Sequence, residues 1–246
     1  MKNMKFIVAS CISVAFVGFL STSAFAQSAK FAASWDNDPI TAEAHASCDS
    51  DSENAIPDCP VNGDPVVDGP HMMAETEMAT IHIGTHKSIF IGVSSQIGIH
   101  LITWAKGKGG STVEDITSRA LASGMVELTV ALESDNGGVC QTIAPSNKIT
   151  LKSEMRELTV GATSTAEEVE VMVGIETNSI SAHHFEFLGV ECDQGTYKMT
   201  ATFDLTALAE AAGYDASADV VVTLGDRMVT LQEVRAVKGS LMPDID

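Results

Sequence analysis

An acidic segment near the N-terminus carries side-chain oxygens at a spacing that suits a hard cation. Asp49, Asp51 and Glu53 alternate with serines in a D-S-D-S-E run. Calcium in proteins requires several oxygens that converge on one point. The segment departs from an EF-hand loop, because Asn54 and Pro60 stand where glycine and glutamate belong. We therefore weigh calcium bound by Asp49, Asp51 and Glu53 against a solvated acidic linker.

Three histidines in predicted strands, His82, His100 and His184, carry the hypothesis of a zinc site in a metal-dependent hydrolase. Three protein ligands and one open position are typical of catalytic zinc. The two histidines closest in sequence, His82 and His86, would lie about 13 Å apart on one strand face, which is too far for one ion. Histidines on strand surfaces are therefore the preferred interpretation.

The first 26 residues have the pattern of a secretory signal peptide. Lys2 and Lys5 precede an apolar run over residues 6–20, and an A-F-A tripeptide ends at Ala26. We expect cleavage near Ala26 and a secreted, periplasmic or cell-surface product. A lipoprotein-type box ending at Cys11 is the alternative, but most of the apolar run follows that cysteine.

Removal of the signal leaves four cysteines, and an even number in an oxidising compartment indicates two disulfides. Of the three pairings we favour Cys48–Cys59 with Cys140–Cys192. The first pair closes a short polar loop, and the second joins two turn-rich segments at one end of the predicted sandwich. Because no C-x-x-C spacing occurs, zinc–thiolate chemistry is disfavoured.

The chain is strongly acidic, and its charge limits its partners. Its 246 residues carry a formal net charge of −19, which becomes −21 when Lys2 and Lys5 leave with the signal. Nucleic-acid binding requires clustered basic side chains that neutralise phosphates, so we expect no nucleic-acid partner. No second apolar run is long enough to cross a bilayer, so we expect no integral membrane span.

Alternation of apolar residues predicts strands from Ala79 almost to the C-terminus. The clearest alternation covers residues 88–104, with period two. Only the segment from Thr206 to Ala212 is predicted as a short helix. Many strands at short spacing predict an all-β fold, an antiparallel β-sandwich of jelly-roll type. We divide the chain into a signal (1–26), an acidic, largely irregular arm or linker with a disulfide loop (27–78), the sandwich (79–240) and a tail (241–246).

The C-terminal third contains, in this order, an apolar strand, a glycine turn, a strand and a final strand. It consists of Phe185-x-Phe187, the D-x-G-x-Y turn from Asp193, the V-V-V run at Val220 and R-x-V-T-L-x-E-V from Arg227. This order resembles the C-terminal half of jelly-roll domains related to the tumour-necrosis-factor/C1q group, found in secreted bacterial and phage-fibre proteins. The resemblance implies a domain that binds or assembles, usually as a trimer, rather than one that catalyses.

Catalytic motifs are missing from the sequence, since neither G-x-S-x-G nor H-E-x-x-H occurs. The rings that could stack on a sugar are Trp35, Trp104, Tyr197 and Tyr214. We expect a non-catalytic exported protein that acts in surface adhesion, fibre or envelope assembly, as a homo-oligomer or with an extracellular protein partner, and with calcium as a stabilising ion. A small-ligand or glycan-binding module is the alternative, and the hydrolase is the least favoured function.

Overall fold

The computed structural model describes residues 30–49, 65–76, 79–85, 87–110, 113–140, 142–144, 148–162 and 169–235. These residues form strands and turns, and the strands pair antiparallel throughout. The strands are β1 (Phe31–Asp36), β2 (Ile40–Asp49), β3 (Val66–Asp68), β4 (His71–Thr76), β5 (Thr80–Ile83), β6 (Lys87–Gly110), β7 (Val113–Ser134), β8 (Thr142–Ala144), β9 (Lys148–Gly161), β10 (Val169–Cys192), β11 (Gly195–Ala212) and β12 (Asp215–Val234).

Two sheets pack face to face. Sheet A has the order β1/β2, β12, β6, β10 and β8, and sheet B has the order β3/β4/β5, β11, β7 and β9. The two sheets meet at a corner where the ends of β6 and β7 pair. Strand β6 alone has 24 residues, and a strand of that length extends about 80 Å. The sandwich predicted from the sequence is confirmed, and it is elongated.

Strand pairing is nested along the chain. The first strands, β1 and β2, pair with β12, the next three with β11, then β6 with β10 and β7 with β9. One long antiparallel ladder is thus rolled up so that β12 lies beside β6 and β11 beside β7. This topology is the jelly roll, in which β1/β2 and β3/β4/β5 each occupy one strand position.

The core lies between the sheets and has a gradient of side-chain size. Large residues such as Phe187, Phe203 and Tyr197 fill one end. Alanines occupy the inward positions at the other end, on β2, β7, β11 and β12: Ala42, Ala44, Ala46, Ala120, Ala122, Ala207, Ala209, Ala211, Ala216 and Ala218. Because small side chains let the sheets approach closely, a β-carbon on Gly124 of β7 would lie 2.8 Å from Val222.

The helix predicted from Thr206 to Ala212 is wrong, because this segment is the C-terminal part of β11. Its residues favour helix individually. They also alternate, with Ala207, Ala209 and Ala211 buried and the intervening residues facing outward. Pairing with β7 over the same stretch overrides the local preference.

The described parts of residues 27–78 differ from the predicted irregular arm, since they contribute β1, β2, β3 and β4 to the two sheets. Strand β2 buries Ala42, Ala44, Ala46 and Cys48 against the core. An alternation of such small residues lacks the bulky aliphatic signal by which a strand is recognised. Residues 50–64 and 241–246 lie outside the described residues.

Candidate functional site

Of the three predicted calcium ligands, Asp49 lies within the described residues. Asp49 is the last residue of β2, and its backbone lies opposite Asp215 of β12. Asp51 and Glu53 lie outside the described residues. Calcium binding at this segment stays a prediction.

The three histidines of the zinc hypothesis lie apart. His82 is on β5 in sheet B, and its Nδ1 is 3.1 Å from Thr196 Oγ1. His100 and His184 both lie on sheet A, but His184 is opposite Ser94, six positions from His100 along β6, or about 20 Å. Within the part of the chain that the structure describes, no three His, Cys, Asp or Glu side chains are grouped so that they could hold a metal ion. The geometry therefore does not bring His82, His100 and His184 to one ion.

One of the two predicted disulfides is confirmed. Cys140 is bonded to Cys192, which joins the segment after β7 to the end of β10. Cys48 is also disulfide-bonded. Its predicted partner, Cys59, lies outside the described residues.

A groove crosses the outer face of sheet A where β1, β12, β6 and β10 lie side by side. It has a volume of about 530 Å³ and is lined by Trp35, Asn37, Ser94, Gln96, His184 and Met228. Trp35 is 71% exposed and lies directly opposite Met228, which is 42% exposed. The groove therefore combines an apolar wall, formed by one indole and one thioether, with polar side chains.

A bulge in β12 borders this groove. The register with β6 shifts between Leu224 and Arg227, around Gly225 and Asp226. At the same point β2 ends its pairing with β12, opposite Leu224, and β1 begins opposite Arg227. Bulges bend a strand and re-aim its side chains, and they are frequent beside functional sites.

A glycine of β6 packs tightly against residues beside the groove. Gly92 lies opposite both Thr230 of β12 and Glu186 of β10. A β-carbon on Gly92 would lie 2.5 Å from Thr230 Oγ1 and 3.3 Å from His184 Cε1. A side chain at this position would displace Thr230 and press against His184, which lines the groove.

A second depression of about 270 Å³ continues along β6 and shares Gln96 with the groove. Its lining includes Gly98, His100, Asn178, Ile180 and Val221. His100 Nε2 lies 2.9 Å from Glu176 Oε1 across the β6–β10 pair. Together the two depressions form a channel along the outer face of β6, with Gln96 common to both.

Arg227 fixes the strand that carries Trp35. Its side chain is 1% exposed, and its Nη2 donates hydrogen bonds to Asp36 Oδ2 and to the Asp38 carbonyl oxygen, the latter at 2.9 Å. The hydrogen bond from the Asp38 N–H holds the pKa of Asp36 below its usual value, and the Arg227 guanidinium lowers it further. Nε and Nη1 of Arg227 are buried without a hydrogen-bond partner among the described residues.

The sequence candidates for sugar stacking have different positions. Tyr197 is buried in the core, where its hydroxyl donates to the Asp193 carbonyl and burial raises the pKa of its phenol. Tyr214 lies 5.6 Å from the ammonium groups of Lys106 and Lys108. Trp35 alone of these rings lines the groove. The sequence singles out Trp35 as an aromatic ring but not its neighbours, because the groove is assembled from four strands that are distant in sequence.

A second surface feature is the edge of sheet A formed by β10. Val169–Gly189 pair with β6 on one side, and among the described residues β10 has a second partner only at Leu188–Val190, which pair with β8. The side chains of Val169, Val171, Val173 and Ile175 face the inside of the sandwich yet are 37–39% exposed.

Polar groups of β9 cover only the middle of this edge. Lys152 Nζ donates to the Ser179 carbonyl oxygen and to Ser181 Oγ, both at 3.1 Å, and Arg156 Nε donates to Thr177 Oγ1 at 3.2 Å. The apolar row from Val169 to Ile175 lies beyond these contacts. It forms an exposed apolar strip on a stretch of β10 that has β6 as its one strand partner within the described ranges.

Among the described residues, no helix is long and apolar enough to cross a membrane.

Comparisons with known proteins give no relative from which a function could be transferred. No family model matches the chain, and no curated protein matches it. Two solved structures of infectious bursal disease virus, a T13 particle and the Gx strain, align at 9% identity with TM-scores of 0.13 and 0.12. They align over 81% and 84% of this chain but only 40% and 48% of theirs. Such values carry no argument about fold or function.

Proposed function

We propose that the protein is an exported, non-catalytic β-sandwich that acts in surface adhesion, fibre or envelope assembly. The observation that carries this proposal is the β10 edge. Its backbone has no second strand partner over residues 169–187 in the part of the chain that the structure describes, and it carries the apolar strip of Val169, Val171, Val173 and Ile175. Soluble proteins usually protect a long edge strand with a charge, a bulge or a covering segment. An edge left open in this way is suited to strand addition.

A second copy of the chain is the partner that the proposal names. Symmetric pairing of β10 with another β10 would extend sheet A across the interface and cover both apolar strips. Glu170, which lies between Val169 and Val171 on β10, is paired with lysines, since its carboxylate is 3.1 Å from Lys106 Nζ and 3.9 Å from Lys108 Nζ. The signal-like N-terminus and the resemblance to secreted jelly-roll domains support a location outside the cytoplasm.

The proposal contains no catalytic step. The sequence lacks the nucleophile and zinc-hydrolase motifs, and His82, His100 and His184 lie on separate parts of the sheets. A small-ligand or glycan-binding role is the second candidate function, and the groove at Trp35 favours it.

Size-exclusion chromatography with light scattering tests assembly, on the mature chain over a range of concentrations, with and without calcium. We expect a mass above the monomer that grows with concentration. Val173→Lys places a charge in the strip and should restore the monomer. Val139→Lys, the same change at an exposed valine after β7, should leave assembly intact. A strictly monomeric wild-type protein under all conditions would refute the proposal.

A further inference from the structure

We propose that the groove at Trp35 binds the face of a neutral sugar ring within an extracellular glycan. This inference gives the second candidate function a site and a ligand class, and it does not depend on assembly through β10.

The apolar part of the site is a flat surface at one wall of the groove. The indole of Trp35 is largely exposed and has Met228 directly opposite on β12. An exposed indole offers a large apolar face at a small conformational cost, and such rings dominate recognition sites. The C–H face of a pyranose ring is the complementary surface, because it is apolar and of similar size.

The polar part of the site consists of groups that hydrogen-bond to hydroxyls. Ser94 Oγ and His184 Nδ1 are joined by a hydrogen bond of 2.7 Å across the β6–β10 pair. Gln96 follows two positions later on the same face of β6, and Asn37 lies at the end of β1. Hydroxyl, imidazole and amide groups both donate and accept, as sugar hydroxyls do.

The charges around the groove favour a neutral ligand over an anion. Arg227 lines the groove, but its side chain is 1% exposed and its Nη2 is paired with Asp36 and the Asp38 carbonyl. Asp226 borders the groove, Glu186 lies 3.5 Å from His184 Nε2, and the whole chain carries a net charge of −19. A carboxylated or sulfated sugar would meet net repulsion.

The groove is built before any ligand arrives. Its side chains project from paired strands, and Arg227 anchors the residues that flank Trp35 through Asp36 and Asp38. A site held by rigid elements loses little entropy on binding. The second depression, which shares Gln96, extends the channel toward His100 and provides space for further rings of a chain.

Isothermal titration and tryptophan fluorescence test this inference. The neutral ligands are gluco-, manno- and galacto-oligosaccharides of six rings, and polygalacturonate is the anionic ligand for comparison. We expect at least one neutral oligosaccharide to bind and to change the fluorescence of Trp35. Trp104→Phe removes the second tryptophan, so the signal that remains belongs to Trp35.

Trp35→Ala should weaken binding about tenfold or more, because the stacking surface is removed. Phe31→Ala is the matched control, since Phe31 lies on the same face of β1 and is exposed but lies outside the groove lining; it should bind as the wild type does. Unchanged melting temperatures would show that both variants are folded.

Three results would overturn the inference. The first is that no neutral oligosaccharide binds at concentrations up to about 10 mM, where even weak binding is detectable. The second is that Trp35→Ala binds as tightly as the wild type. The third is that polygalacturonate binds more tightly than the neutral oligosaccharides. The Val173→Lys variant should bind sugar as the wild type does. Loss of assembly and loss of sugar binding are therefore separate outcomes.

Discussion

The guanidinium of Arg227 is paired with the carboxylate of Asp36, a residue 191 positions earlier in the chain. This contact joins the first described strand to the last one at the bulge of β12. It also sets the end of β1, so the position of Trp35 in the groove depends on a pair of residues from opposite ends of the sequence.

Asp36 should make the stability of the protein depend on acid pH. The hydrogen bond from the Asp38 N–H and the pairing with Arg227 lower its pKa in the folded state below the ordinary value of 3.8. A lowered carboxyl pKa stabilises the fold at a pH above the unfolded value, and this stabilisation is lost as the pH falls through the folded value.

Urea unfolding of the wild type and of Asp36→Asn between pH 2 and 6 measures this effect. The wild type should be the more stable protein at pH 6, and the difference should shrink at the acid end. A difference that is constant across the range would contradict the role given to this carboxylate.

Ser118→Ala should destabilise the corner between the sheets. Ser118 is fully buried, and its hydroxyl donates to the Lys106 carbonyl at 2.6 Å. It also accepts from the N–H groups of Tyr214 and Asp215, at 3.0 and 3.1 Å. Loss of a buried partner costs about 1–3 kcal/mol. Chemical denaturation measures the change, and Ser153→Ala on the exposed face of β9 should be close to neutral.

Gly213→Ala should destabilise the turn between β11 and β12. The loss of stability should exceed that caused by replacing a glycine of positive φ that has open space around it. Gly213 has φ +98°, and a β-carbon there would lie 2.3 Å from the Thr117 carbonyl oxygen. Gly137 is the matched control, because it has φ +75° and open space around it. Gly137→Ala should cost about 1–2 kcal/mol from backbone strain alone. Equal melting temperatures for the two variants would argue against a tight corner.

Removal of the Cys140–Cys192 bond should lower stability substantially. The cysteines are 52 positions apart, and a cross-link over a loop of that length stabilises a protein by about 4 kcal/mol on the chain-entropy account. The double variant Cys140→Ser with Cys192→Ser keeps the other predicted pair intact. Thermal unfolding should show a lower midpoint, and an unchanged midpoint would mean that packing alone holds the end of β10.

The fold was largely predictable where strands bury bulky residues. The alternation of Ile89, Ile91 and Val93 identified β6, and similar patterns predicted the all-β sandwich. Prediction failed where alanine fills the core, as in β11, since Ala207 and Ala209 suit a helix as well as a strand. Strand β2 was missed for the same reason.

The groove could not be predicted because no local pattern encodes it. Trp35, Ser94, His184 and Met228 become neighbours only through the pairing of β1, β12, β6 and β10. One local signal was present, namely Gly92 and Gly98 on the outward face of a long strand. A glycine in a strand often marks close approach of another group or a bend. Here Gly98 lines the second depression, and Gly92 lies close to His184 of the groove.

The nested pairing of the strands has a kinetic consequence. Among the described strands, β1 is synthesised first and pairs with β12, which is synthesised last, so Phe31 can pair with Gln232 only when nearly all of these strands have been made. Apart from the short β6–β7 pairing at the corner, the longest ladders of the roll join segments far apart in the chain, which places the protein among slowly folding, high-contact-order topologies. Until the last strand is made, β6 lacks one partner and β2 lacks its own, and both expose alternating apolar faces that can aggregate. Removal of β12 by a late stop codon should therefore leave a chain that does not close, although most of its residues are present.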